Sequence, residues 1–118
     1  MSDGLPGREA QLVAVYRVVD AIELSYLETH WDYGSNPSQS GKYFALTIEG
    51  ARAFASEPMN AGSTITMTTL PKSVTDSGMK FNDPNLNGAG ISVFFAQQQL
   101  ADVYDTMAAA VVWRSFER

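Results

Sequence analysis

The feature that most restricts how this chain can fold is an arginine set inside an unbroken apolar run, Leu12-Val13-Ala14-Val15-Tyr16-Arg17-Val18-Val19. A run of β-branched and apolar residues without alternation reads as a strand buried on both faces. A guanidinium in such a strand is costly unless it is partnered. Arg17 therefore meets a carboxylate, faces a cleft that holds an anion, or snorkels from a strand end. The anion reading has chemistry behind it, because the guanidinium fork matches two phosphate oxygens at once.

A second strand, Lys42 to Leu46, lies in Gly41-Lys42-Tyr43-Phe44-Ala45-Leu46-Thr47. Tyr43 and Phe44 project to opposite faces, so one belongs to the core and the other is free to stack on a planar ring. Thr47 caps the helix that follows, Ile48 to Ala55; its hydroxyl, or the free N–H groups at that helix start, can also orient Arg17 or a ribose. Together the two segments suggest an anion-holding Arg17 and an aromatic wall lining one cleft, a combination suited to a dinucleotide such as NAD.

Between and beyond them the pattern alternates short strands and short helices. Asp20-Ala21-Ile22-Glu23 is a capping-box signature for a helix running to about His30. Trp31 to Gly41 is rich in turn formers and long enough to act as a mobile lid. Ser63 to Leu70 sets Ile65 and Met67 against Thr64, Thr66 and Thr68, which predicts a strand with a wet threonine face. Thr75 to Gly90 reads as loop, with turn signals at Asp83-Pro84 and Asn87-Gly88. A strand over Ile91 to Ala96, a helix from Gln97 to about Met107 and a closing strand over Ala109 to Phe116 follow. The helices are too short for comfortable parallel crossovers, so the fold class expected is α+β, a compact split mixed β-sheet core with short peripheral helices. Residues 1–10 read as a linker remnant, and residues 11–118 as one domain.

Composition removes several kinds of chemistry. No cysteine means no disulfide, zinc ribbon or thiol nucleophile, and one histidine leaves little for a metal cluster or a serine triad. His30 fits a helix end better than a catalytic base. The Walker pattern is absent, Gly88-Ala89-Gly90 is only a glycine-rich turn, and Asp102 and Asp105 read as solvated charges. A net charge of −5 repels nucleic acid and favours basic partners. No apolar run approaches the length of a membrane span, and the N-terminus lacks the pattern of a signal peptide.

At these residues the chain resembles the ADP-ribosyltransferase toxins, particularly the small C-terminal toxin domains of bacterial Rhs-type polymorphic toxins. VYRVV with its capped helix is similar to the first strand of that family, whose arginine holds NAD. GKYFALT before EGARAFA resembles the second strand and helix, with Thr47 where many members carry Ser-Thr-Ser, and TITMTTLPKSV resembles the strand after it. Asp3-Gly4-Leu5 resembles the tail of the motif that closes the Rhs shell. The resemblance implies NAD as substrate without a metal, bound by Arg17, Tyr43, Phe44 and Thr47, and transfer of ADP-ribose to an intracellular bacterial macromolecule. It further implies delivery by a secretion system such as type VI, action in the target-cell cytoplasm without a membrane partner, and a cognate immunity protein covering the cleft. Elongation factor Tu is the expected target, and its modification would block translation. The departure is at the catalytic acid: the strand that carries the family's glutamate opens here as Asn87-Gly88-Ala89-Gly90-Ile91-Ser92. Ser92 takes the nearest polar position, and Gln97 to Gln99 hold either a polar substitute, Gln97 first, or an inactivating replacement. An aspartate or glutamate acceptor on the target protein would then supply the missing negative charge itself. The alternatives are an acidic interaction or immunity module without catalysis, and NAD hydrolysis without transfer.

Overall fold

A computed structural model of the chain describes residues 11–35, 39–84 and 90–113. The suggested linker remnant at 1–10, the middle of the expected lid at 36–38, the turn at Asn87-Gly88-Ala89 and the end of the expected closing strand lie outside the described residues. The architecture is α+β, as expected: among the described residues there are six strands and four short helices. The strands are β1 (Leu12–Val19), β2 (Gly41–Ala45), β3 (Thr64–Pro71), β4 (Met79–Asn82), β5 (Ile91–Ala96) and β6 (Val111–Val112). The helices are α1 (Ala21–His30), α2 (Ile48–Ala55), α3 (Lys72–Ser77) and α4 (Leu100–Thr106).

The strands form one sheet in the order β4-β5-β2-β1-β3-β6, antiparallel at every pairing. It is therefore not a mixed sheet: β1–β2 and β4–β5 are the neighbours consecutive in sequence, and the connections from β2 to β3, β3 to β4 and β5 to β6 cross to strands that also run antiparallel to the ones they pair with. The split has a counterpart in the ladder. β1 pairs with β3 along its whole length, from Leu12↔Pro71 to Val19↔Thr64, and β2 pairs with β5 from Gly41↔Ala96 to Ala45↔Ser92. Between β1 and β2, by contrast, the register holds at Tyr16↔Ala45 alone. Two three-stranded halves thus meet at a seam one residue pair long.

Alternation along β1 sends its residues to two different cores. Val15 and Val19 join Leu27, Tyr33, Phe44, Leu70, Val93, Phe95, Leu100 and Val103, under α1 and α4. Tyr16 and Val18 face the other way, onto Ala45, Ala51, Ile48, Phe54 and Ile65 beneath α2. Both faces are covered, which is why β1 lacks a polar alternation. At about 1.5–3 kcal/mol for each large apolar side chain fully buried, Phe44, Phe95, Leu70, Val15, Val19 and Val93 supply most of the driving force. α1 contributes little to this, since Leu27 is its single buried residue while Ile22 and Tyr26 face solvent. Its cap helps instead: Asp20 Oδ1 accepts the Glu23 N–H at 2.8 Å.

Three expectations are corrected. The threonine face of β3 is buried, with Thr66 and Thr68 at 0% and 2% exposure, because main-chain and phenol partners satisfy each hydroxyl. Thr66 Oγ1 donates to the Arg17 carbonyl at 2.8 Å, and Thr68 Oγ1 to that of Ala108. The expected lid begins inside the core: Tyr33 is 2% exposed, and Tyr104 donates its hydroxyl proton to the Gly34 carbonyl. Trp31 makes this turn, capping α1 at a left-handed φ of 67° with its N–H on the Leu27 carbonyl. The stretch read as loop from Thr75 holds the end of α3 and all of β4, tied together by Asp76, which accepts from Lys72 at 2.8 Å and Lys80 at 2.7 Å. Those two lysines hold its carboxyl down at about 2. Elsewhere the differences are small: the expected helix from Gln97 opens as a 3-10 turn, Gln97–Gln99, before α4, and among the described residues the closing strand covers Val111–Val112.

Replacing Thr66 with valine keeps the shape and deletes the hydroxyl, leaving the Arg17 carbonyl and the Tyr33 phenol without their partner. Thr66→Val is expected to lower unfolding free energy by about 1–3 kcal/mol, read from urea titration.

Candidate functional site

Where β1 and β2 part, neither strand's main chain can bridge to the other, and the Arg17 side chain fills the gap. Its Nη1 donates to the Tyr43 carbonyl across the seam at 2.9 Å. The rest of the fork turns toward the first turn of α1, with Nε on Glu23 Oε2 at 2.5 Å and Nη2 on Glu23 Oε1 at 2.9 Å. The charge in β1 has thus met a carboxylate, one of the outcomes its burial demanded. The sequence pattern places Glu23 in a capping box; half of that box forms, and its carboxylate goes to Arg17. The pair is largely shielded, at 16% and 17% side-chain exposure.

Lys42, buried on β2, brings its Nζ to 3.7 Å from Glu23 Oε2. Burial, then the neighbouring Arg17 charge, push this ammonium below its ordinary pKa, and Glu23 pulls it back. The trio carries two cationic groups against one carboxylate. Two of the guanidinium's five N–H groups make no bond among the described residues. The rings of Tyr33 and Phe44 each lie 5.9 Å from its central carbon. Tyr33 is fixed in turn by Thr66, 2.7 Å from its hydroxyl. Since the Thr66 proton is committed to the Arg17 carbonyl, the phenol is the donor. Burial raises the Tyr33 phenol to about 12, against opposing effects of the Thr66 hydrogen bond and the Arg17 charge.

Around the seam opens a cleft of about 930 Å³ lined from both faces of the sheet, by Arg17, Glu23, Lys42 and Tyr33 on one side and Tyr43, Ser92 and Asp83 on the other. That volume is at the upper end for small-molecule sites. No family model, curated protein or solved structure matches this chain. The site's meaning rests on its own geometry.

Of the residues singled out from the sequence, Arg17, Tyr43, Phe44 and Ser92 line this cleft. Tyr43 and Phe44 divide as their alternation required: Phe44 is core, at 1% exposure, and Tyr43 is half exposed, packed beside Phe81 and Phe94. Ser92 is buried and donates to Asp83 Oδ2 at 2.8 Å. Thr47 and Gln97 are not in the lining. Thr47 caps α2, accepting the Gly50 N–H at 3.0 Å, and the Gly90 backbone lies so close that an added Cβ would stand 2.7 Å from its hydroxyl. Gln97 donates its side-chain amide to the Gln39 carbonyl at 3.0 Å. Glu23, Lys42 and Asp83 were missed as site residues, each having a local reading as helix cap, strand residue or turn former. Among the described residues no group of three or more His, Cys, Asp or Glu is placed to hold a metal ion, and no helix is long and apolar enough to cross a membrane.

Glu23→Leu leaves two buried cations facing each other and is expected to cost about 3 kcal/mol, whereas combining it with Arg17→Met costs less than either single change. Urea unfolding of the four proteins checks the cycle. The Tyr33 shift also has a sign. A phenol that stays protonated longer when folded makes a contribution present below its ordinary value of 10 and lost as pH rises through about 12. Tyr33→Phe should therefore flatten the decline in stability over that window relative to wild type; Lys42 is present in both proteins and cancels in the comparison.

Proposed function

We propose that the chain is an NAD-consuming ADP-ribosyltransferase domain, binding the dinucleotide across the seam and transferring ADP-ribose to a bacterial macromolecule. The observation that carries this reading is the meeting, in one cleft, of an arginine with two uncommitted donors and a half-exposed tyrosine on the strand opposite. Arg17, backed by Lys42, would receive the pyrophosphate, and the Tyr43 ring would take a planar base. The division of the sheet into two halves with Arg17 on one and the aromatic strand on the other supports it further. Thr47 enters only as the cap that holds α2 beside β2.

The reading extends to an Rhs-type toxin delivered by a secretion system, acting in the target-cell cytoplasm on a protein acceptor carboxylate and countered by an immunity protein seated over the cleft. Elongation factor Tu remains the proposed target; a net charge of −5 disfavours nucleic acid as acceptor. Purified protein incubated with labelled NAD and bacterial lysate tests all of this. Label on a protein is the expected outcome; nicotinamide release alone indicates hydrolysis, and no turnover indicates a binding module. Arg17→Lys, which keeps a charge but loses the fork, should reduce turnover at least tenfold. Tyr43→Ala should weaken NAD binding by about tenfold with the fold intact, by calorimetric titration.

A further inference from the structure

We infer that Lys42 is a nucleophilic amine, and that the cleft takes, as a covalently held ligand, an aldehyde or ketone that also bears a phosphate. The inference goes beyond the NAD reading and does not depend on it.

The chain has three lysines, Lys42, Lys72 and Lys80. Lys72 and Lys80 stand at the surface with side chains 56% and 42% exposed, and both donate to Asp76, at 2.8 Å and 2.7 Å. Each is hydrated and ion-paired. Lys42 is placed differently. Its side chain is 6% exposed and lines the cleft, on the face of β2 that carries Phe44. Pairing of β2 with β5 at Lys42↔Phe95 fixes the backbone from which that side chain starts. The carboxylate it meets, Glu23 Oε2, lies 3.7 Å away, beyond hydrogen-bond length. That oxygen already accepts Arg17 Nε at 2.5 Å, and the other accepts Nη2 at 2.9 Å. One anion therefore serves two cations, and Arg17 has the closer share of it. A lysine that is desolvated, or that stands beside another cationic group, is an amine activated for attack. Both conditions hold at Lys42. Burial and then the Arg17 charge push its ammonium below the ordinary pKa, against the pull of Glu23 and Asp20.

The same neighbourhood selects the electrophile. Arg17 keeps two N–H groups that make no bond among the described residues, and a guanidinium matches phosphate oxygens with such donors. Arg17 and Lys42 reach toward the same carboxylate oxygen, so a phosphate on the guanidinium holds a carbonyl carbon a few bonds away within reach of Nζ. The Tyr33 and Phe44 rings beside the guanidinium give the carbon frame an apolar wall. The step balances without a further reagent. The Nζ lone pair forms a bond to the carbonyl carbon as the C=O π pair moves to oxygen, and one nitrogen proton passes to that oxygen, giving a carbinolamine. The hydroxyl then leaves as water with the second nitrogen proton, and the C=N bond of the imine forms. Amine and carbonyl become imine and water, nothing is oxidised or reduced, and hydrolysis reverses the step.

The probe is pyridoxal 5′-phosphate, a phosphorylated aldehyde, added in limiting amount to the purified full chain. Borohydride then reduces any imine to a stable secondary amine, and peptide mass spectrometry reads the label at each lysine. Lys42, the least exposed of the three, is expected to carry about tenfold more label than Lys72 or Lys80. Unphosphorylated pyridoxal should label Lys42 about tenfold less than the phosphate does. Label on Lys72 or Lys80 equal to or above that on Lys42 overturns the assignment, since exposure alone then sets reactivity. Pyridoxal labelling Lys42 as fast as its phosphate overturns the ligand class. Both comparisons are made within the folded wild-type chain, so neither needs a variant to fold. No NAD enters the assay, so either result leaves the NAD reading where it stands.

Discussion

The ion pair between Arg17 and Glu23 is the constraint around which the rest is arranged. A guanidinium on a strand covered on both faces requires a carboxylate, and the chain provides it six residues later, in the first turn of the next helix. That fixes α1, which buries one residue of its own, against the sheet. The same guanidinium takes the Tyr43 carbonyl and so joins the two halves of the sheet where main-chain pairing ends. One side chain thus docks a helix, closes a seam and places a charge in a cleft. Taking the pair out of water costs several kcal/mol, offset only when geometry and hydrogen bonding are good. Both oxygens of Glu23 are engaged, and a second cation stands at 3.7 Å.

Much of this was legible in the residues. The bounds of α2 and β5 coincide with the expected ones, because each is flanked by strong signals: a threonine cap for one, and turn formers before a β-branched and aromatic run for the other. β1 was legible for the same reason that made Arg17 conspicuous. What could not be read is what depends on partners far away in sequence. Thr66 and Thr68 look like a wet face until their carbonyl partners at Arg17 and Ala108 are in place. Tyr33 lies among Asp, Gly, Ser, Asn and Pro and resembles loop; it is core because Thr66, 33 residues on, meets its hydroxyl.

The site was half legible. The alternation at Tyr43-Phe44 predicted one core ring and one free ring without saying which, and only the covering of the Phe44 face by α1, α4 and Tyr33 decides it. Glu23 was visible but misassigned: a capping-box glutamate satisfies a local rule, and the competing demand came from a strand residue outside the helix. Asp83 before Pro84 is an ordinary turn signal, and its burial against Ser92 follows from β4 and β5 pairing at Phe81↔Ser92.

The seam has a mechanical meaning beyond the charge it holds. Within each half, adjacent strands are bolted by main-chain hydrogen bonds that any sequence makes, so their spacing is insensitive to side-chain replacement. At the junction of β1 with β2 the fastening is a single rung and a guanidinium, and the guanidinium is encoded by the sequence. The gap between the halves is therefore the dimension of this sheet that depends most on side-chain identity. It is also where opening motions of the molecule should concentrate, so amide exchange at Tyr43 to Ala45 ought to report on whatever enters the cleft.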